Sequence, residues 1–136
     1  VMLQAVAAAV REVAFGEVMP RFLKVAHERK ADGSLFTSAD VAAQDALSRK
    51  LPAIEDCPVV AEEMSREQQL GQWLAGEGEV WCVDPIDGTS NFVNGLPYFA
   101  VSVALLRNGR SVLGVIFDPV ADEMFCAEHG RGAYLN

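Results

Sequence analysis

Tyr98-Phe99-Ala100-Val101-Ser102-Val103-Ala104-Leu105-Leu106-Arg107-Asn108-Gly109-Arg110-Ser111-Val112-Leu113-Gly114-Val115-Ile116-Phe117-Asp118-Pro119 is the stretch that decides the fold. β-branched and aromatic residues dominate it, as strands require. Asn108-Gly109 is a hairpin signal, because both residues tolerate the positive φ of a tight two-residue turn. The sequence therefore predicts a strand over Tyr98–Arg107 with Ser111–Phe117 folding back on it. Asp118-Pro119 turns the chain, and Glu123–Ala127 reads as a third strand. Gly130-Arg131-Gly132 turns it again into Ala133-Tyr134-Leu135. Consecutive strands joined by short turns make an antiparallel meander.

Upstream of the meander the period changes. Val6, Val10, Val13, Phe22 and Val25 recur at helical spacing, with Pro20 kinking one long helix or separating two shorter ones. Asp32-Gly33 marks a turn. A second helix starts near Thr37 or Ser38, where Thr37 and Asp40 resemble a capping box, and Pro52 stops it. Pro58–Ala61 and Glu79–Val83 read as short buried strands, and Glu67–Glu77 as a short helix or a loop. Helices followed by a meander predict an α+β fold, with two N-terminal helices on a mainly antiparallel sheet. The apolar runs Ala100–Leu106 and Val112–Phe117 imply burial on both sheet faces. The segments Val1–Arg29 and Ser38–Leu51 can cover only one. The expectation is that residues beyond Asn136, or a second subunit, cover the other, and that residues 1–136 are the N-terminal domain of a larger protein.

Composition narrows the function. The 136 residues suit one domain, and 51% hydrophobic with 22% charged residues excludes disorder and collagen-like repeats. Eleven Lys and Arg against nineteen Asp and Glu give a net charge of −8, which disfavours binding along a phosphate backbone. The three cysteines are too few and too scattered for a disulfide framework or a zinc site, which fits a reducing compartment. The runs Ala5–Val10 and Ala100–Leu106 are too short to span a bilayer, and no signal peptide is visible.

The chemistry concentrates in Trp81-Cys82-Val83-Asp84-Pro85-Ile86-Asp87-Gly88-Thr89-Ser90-Asn91-Phe92. Asp84 ends an apolar strand, and Pro85 is expected to stop that strand in the sheet. Asp87, Gly88 and Thr89 follow at the start of a short helix over residues 89–94. Two carboxylates beside free backbone N–H groups suit a hard divalent cation and a phosphate group. Taken alone, Asp87 equally suits a helix cap. Glu62-Glu63 stands directly after the strand Val59-Val60-Ala61, at the kind of strand end where sites gather. Alone, that pair reads rather as a solvated loop start. Asp40, at the start of the second helix, alone reads rather as part of a helix cap.

Asp84-Pro85-Ile86-Asp87-Gly88-Thr89 with Asn91-Phe92 resembles the signature of the inositol monophosphatase family of magnesium-dependent, lithium-sensitive phosphatases. Glu62-Glu63 is similar to the family's Gly-Glu-Glu, and Thr37–Asp40 to its Thr-x-x-Asp. Equal intervals separate Asp40 from Glu62 and Glu62 from Asp84. Pro97–Ala104 and Gly130–Tyr134 also match, so the resemblance covers nearly the whole chain. It implies the N-terminal half of the family's layered α/β/α/β/α fold and hydrolysis of inositol monophosphate or a similar sugar or polyol phosphate by metal-activated water. It implies two or three Mg²⁺ ions. Glu62, Asp84, the Ile86 carbonyl and Thr89 would surround the first, and Asp84 and Asp87 would share the second. Asp40 would support a third ion or its waters, with Glu63 a supporting residue. Glu62 and Thr89 would orient the attacking water, and the Gly88 and Thr89 N–H groups would hold phosphate. A cytoplasmic homodimer that binds neither membrane nor nucleic acid is expected.

Some residues depart from the pattern. Ala61 replaces the usual Gly, and Ser90 stands where Thr is common. The family's further metal-binding Asp lies in a Trp-Asp motif, and no Trp follows Trp81. Fructose bisphosphatases and 3′-phosphoadenosine-type nucleotidases share the Asp-Pro-x-Asp-Gly-Thr core and stay as rival enzymes. A non-catalytic protein acting through partners such as the transcription machinery is the rival outside enzymes. His27 and His129 read as surface or turn residues, Cys82 as a buried strand residue and Trp73 and Trp81 as core-edge residues. Lys30 reads as a solvated lysine, and Asp118 and Asp122 as turn residues.

Overall fold

Alternation of buried and outward residues along the meander gives the molecule its sheet, and the helices follow from what that sheet must bury. The computed structural model describes residues 2–24, 27–29 and 35–136. Helix α1 covers Met2–Val13. A π-helical turn at Ala14–Val18 and a 3₁₀ turn at Met19–Arg21 follow. Strands β1 (His27–Arg29) and β2 (Leu35–Thr37) pair antiparallel. Helix α2 spans Ser38–Ile54, β3 Val59–Ala61, α3 Arg66–Ala75 and β4 Glu79–Asp87. Helix α4 (Thr89–Val93) leads into β5 (Ala100–Arg107), β6 (Arg110–Asp118), β7 (Glu123–Glu128) and β8 (Gly132–Leu135). Strands β3 to β8 form one six-stranded sheet in sequence order. Only β3–β4 is parallel. The α+β architecture predicted from the sequence is the one observed.

Helices α1 and α2 cover one face. Val6, Val10 and Val13 of α1 are buried, as are Ala39, Ala43, Leu47 and Leu51 at strict i, i+4 spacing on α2. They meet Trp81 and Val83 of β4, Val101, Val103 and Leu105 of β5, and Leu113, Val115 and Phe117 of β6. Trp81 lies inside the core rather than at its edge, its indole N–H donating to the Glu55 carbonyl at 3.0 Å. Phe22, Phe92 and Phe99 form an aromatic triad with centroids 5.0–5.4 Å apart. That triad ties the turns after α1 to α4 and to the entry of β5.

Several expectations are corrected. Helical structure does not continue unbroken through Phe22, because the chain widens into the π-helical turn before Pro20. A short β-hairpin, β1–β2, stands where only a polar turn was expected. Its three-residue strands are too brief to leave a period in the sequence. Pro52 does not stop α2, which runs two residues further to Ile54, where a missing N–H costs only one terminal hydrogen bond. Pro85 does not end β4 either. A register shift between Asp84 and Asp87 lets the strand pass the proline. Cys82 is exposed, and Trp73 is 42% exposed on α3. Asp32-Gly33, Val25 and Lys30 lie outside the described residues.

The apolar runs of β5 and β6 are buried on one face only within this chain. On the other face Ile116 of β6, Phe125 of β7 and Leu135 of β8 are about half exposed. Among the described residues no helix is long and apolar enough to cross a membrane. Leu47 sits at the middle of the α2–sheet contact with no exposure. Leu47→Ala in the protein that carries this chain is expected to cost about 2–5 kcal/mol in chemical unfolding. A loss under 1 kcal/mol would place the core elsewhere.

Candidate metal and phosphate centre

The parallel pair β3–β4 sets the first half of the site. Its register matches Ala61 with Val83, so the next residues, Glu62 and Asp84, stand side by side on adjacent chains. The Glu62 N–H donates to the Val83 carbonyl at 3.0 Å, which extends the pairing by one residue. The two carboxyl groups are close enough for Glu62 to act on Asp84. Asp84 Oδ1 is buried and has no hydrogen-bond partner. Burial, the Glu62 side chain and the charge of Asp87 push Asp84 up to about 8, against a bond from the Ile86 backbone. A carboxyl group so placed stays protonated near neutrality unless a cation replaces the proton.

The bulge explains how Asp87 joins this face. Asp84 pairs with Ser102 and Asp87 with Ala100, so two residues of β4, Pro85 and Ile86, oppose one of β5, Val101. Without the extra residue, positions 84 and 87 would point to opposite faces. With it, both turn outward while Pro85 and Ile86 go into the core. Asp87 is exposed and lines a cleft of about 450 Å³ with Gly88, Asn91, Tyr98, Asp118 and Glu123. Asp118 accepts from the N–H groups of Val120 and Ala121 at 3.0 Å, a turn role as expected.

The second half of the site hangs on α2. Thr37 N–H and hydroxyl both lie 2.7 Å from Asp40 Oδ2, and the Ala39 N–H donates back to Thr37 Oγ1 at 3.1 Å. This capping box fixes a fully buried Asp40. Its other oxygen, Oδ1, lies 3.1 Å from the Thr89 hydroxyl, which is also 3.0 Å from the Ile86 carbonyl. One hydroxyl proton serves these two acceptors by turns. Burial raises the Asp40 carboxyl above its ordinary range, although the bonds from Thr37 and Thr89 oppose it. Gly88, at φ 98°, leads into α4 without a side-chain cap. A Cβ there would come within 3.2 Å of the Tyr98 carbonyl oxygen and 3.3 Å of Phe99 Cβ, so the turn requires glycine.

The expected residues thus gather in two linked groups. Glu62 meets Asp84, and Asp40, Thr89 and Ile86 meet through the Thr89 hydroxyl. Asp87 lies close enough for its charge to act on Asp84. Glu63 is half-buried and held by its backbone N–H on Gln44 Oε1 at 3.0 Å. Among the described residues no three His, Cys, Asp or Glu side chains already stand in ligating positions. The donors on hand are nonetheless all oxygens, and the orphaned Asp84 Oδ1 is an acceptor in want of a partner. Such a set suits Mg²⁺. Gln44 and Gln69, which hold the Glu62-Glu63 turn, carry no signal in the sequence.

The raised Asp84 has a consequence for metal-free protein. Its folded value near 8 exceeds the ordinary 3.8. The folded state is therefore favoured at low pH, and that advantage is lost as pH rises from about 4 through about 8. In the presence of a chelator Asp84→Asn is expected to be the more stable protein at pH 8, by about 1–3 kcal/mol, with the difference shrinking toward pH 4. Melting curves at several pH values check this. A difference independent of pH would remove Asp84 as its source.

Comparison with known proteins agrees along the full chain. The sequence model of the inositol monophosphatase family matches residues 1–136. An inositol-1-monophosphatase of Mesorhizobium japonicum is 37% identical over all of this chain and 49% of its own length. A protein named Nus factor SuhB from Pasteurella multocida is 35% identical over 79% of this chain and 39% of its own. The solved IMPase of Thermotoga maritima superposes with a TM-score of 0.84 at 33% identity, covering 98% of this chain and 50% of that one. The chain spans a third to a half of the length of the relatives it matches. With residues 1–136 matched by the family's sequence model and the fold by a solved member, the chain belongs to the inositol monophosphatase family, of which it represents the N-terminal portion.

Proposed function

We propose that the protein carrying this chain is a Mg²⁺-dependent phosphomonoesterase that hydrolyses inositol monophosphate or a similar small polyol or sugar phosphate. The observation that carries the reading is the Glu62–Asp84 carboxyl pair, with its buried, partnerless Asp84 Oδ1. One solved protein of the same fold, 23% identical, is an IMPase/NADP phosphatase complexed with Mg²⁺ and phosphate. In this reading Glu62, Asp84, the Ile86 carbonyl and Thr89 would hold the first ion, and Asp84 with Asp87 the second. When bound, such ions supply Lewis-acid polarisation of the phosphoryl group and acidify a water.

The chain's own groups do the rest. Thr89 donates its hydroxyl proton to Asp40, which turns the Thr89 lone pairs toward a water as acceptor. Glu62 accepts the water's other proton. Both hold the water in one orientation, the entropic share of the task. Gly88 and Thr89 present backbone N–H groups to the phosphate oxygens at the start of α4. Asp40 and Glu63 support rather than touch the reacting atoms. A C-terminal domain, outside residues 1–136, completes the second ion's ligands, grips the polyol and covers the Ile116–Phe125 face. A homodimer in the cytoplasm belongs to the same reading.

The names of several relatives favour a second reading, a protein that acts through partners as a Nus factor does. Kinetics on the whole protein separate the two. Asp87→Asn keeps the side-chain volume and removes a ligand charge, so kcat/KM on inositol phosphate is expected to fall at least 100-fold, or about 2.7 kcal/mol. Residues 1–136 alone are expected to be inactive. Activity within twofold of wild type in Asp87→Asn contradicts the metal reading, and an active isolated chain contradicts the need for a second domain.

A further inference from the structure

Glu62 and Glu63 are the two central residues of a β-turn, closed by the Met64 N–H donating to the Ala61 carbonyl at 3.2 Å. Three elements hold this turn from three sides. From β4, the Val83 carbonyl accepts the Glu62 N–H at 3.0 Å. From α3, Gln69 Nε2 donates to the Ala61 carbonyl at 2.8 Å. From α2, Gln44 Oε1 accepts the Glu63 N–H at 3.0 Å. A turn amide at a surface usually bonds to water. Here a side chain from a distant helix takes that place.

Gln44 lies one helical turn after Asp40, so both project from one face of α2. Asp40 reaches the Thr89 hydroxyl and Gln44 reaches the Glu63 amide. One face of one helix therefore touches both halves of the site. The turn needs such a hold. Glu62 projects its carboxyl from the end of a flexible side chain, so a small rotation of the turn shifts that group by about an ångström, enough to spoil a site.

We propose that Gln44 is a positioning residue: by accepting the Glu63 N–H it fixes the turn so that the Glu62 carboxylate meets Asp84. The inference rests on the metal reading given under Proposed function. Its test uses the whole metal-free protein and Mn²⁺ as probe, followed by calorimetry. Hydrogen exchange at the Glu63 amide is a second readout that needs no metal. Gln44→Met keeps the length and removes the acceptor. It is expected to weaken Mn²⁺ binding about 10- to 100-fold and to speed Glu63 exchange. Gln44→Glu restores an acceptor and is expected to return both to within about threefold of wild type. A purely structural role would move the melting point and leave Mn²⁺ affinity alone.

The outcomes separate the two claims. If Glu62→Gln weakens Mn²⁺ binding and Gln44→Met does not, the positioning role is overturned and the metal reading stands. If wild-type protein binds no Mn²⁺, both fall. If the Glu63 amide exchanges in the wild type as fast as an unprotected one, the positioning role is overturned without any variant.

Discussion

The parallel pairing of β3 with β4 is the constraint from which the site follows. Every other neighbour in the sheet is antiparallel, and from β5 onward the strands are joined by short turns. The one parallel pair has to be made by a longer excursion, through α3. Its register puts two acidic side chains at adjacent strand ends, Asp84 half-buried and Glu62 exposed. In the absence of a cation this arrangement is unfavourable, and the proton retained by Asp84 is how the chain relieves it. A fold selected for stability alone would place an apolar residue or a satisfied amide at position 84. The local cost marks the place where binding energy from a ligand is to be used.

Helix α2 makes the arrangement rigid. Its inner face of Ala39, Ala43, Leu47 and Leu51 anchors it to the sheet. Its first turn carries Asp40, locked by the Thr37 cap, and its second carries Gln44. Core packing thus fixes a polar face that reaches both the Glu62-Glu63 turn and Thr89. The aromatic triad Phe22–Phe92–Phe99 does the same from the other side, by pinning α4 behind Gly88. Site geometry is in this sense an output of apolar burial, at ordinary distances, with glycine at the left-handed position that opens α4.

Much of this was legible in the sequence, for reasons that can be named. The meander announces itself through Asn108-Gly109 and the alternation on either side. The Thr37–Asp40 cap is a local signal, and α2 begins where it says. Asp84 and Asp87 become readable through their order and spacing with Asp40 and Glu62, since alone Asp87 equally suits a helix cap. The β1–β2 hairpin was illegible because three-residue strands carry no period. The bulge was illegible because Pro85 argues locally against a strand, and only pairing with β5 overrides it. Gln44 was illegible for a simpler reason. A glutamine on an amphipathic helix looks like solvated surface until the turn it holds is placed beside it.

The direct measurement is a crystal structure of the whole protein soaked in Mn²⁺, with diffraction recorded above the manganese edge. An anomalous peak is expected within about 2.2 Å of carboxylate oxygens from both Glu62 and Asp84 and near the Ile86 carbonyl. The proton held by Asp84 should then be gone, replaced by the ion. Density without a peak there at saturating Mn²⁺ would contradict the reading of this pair as a metal centre.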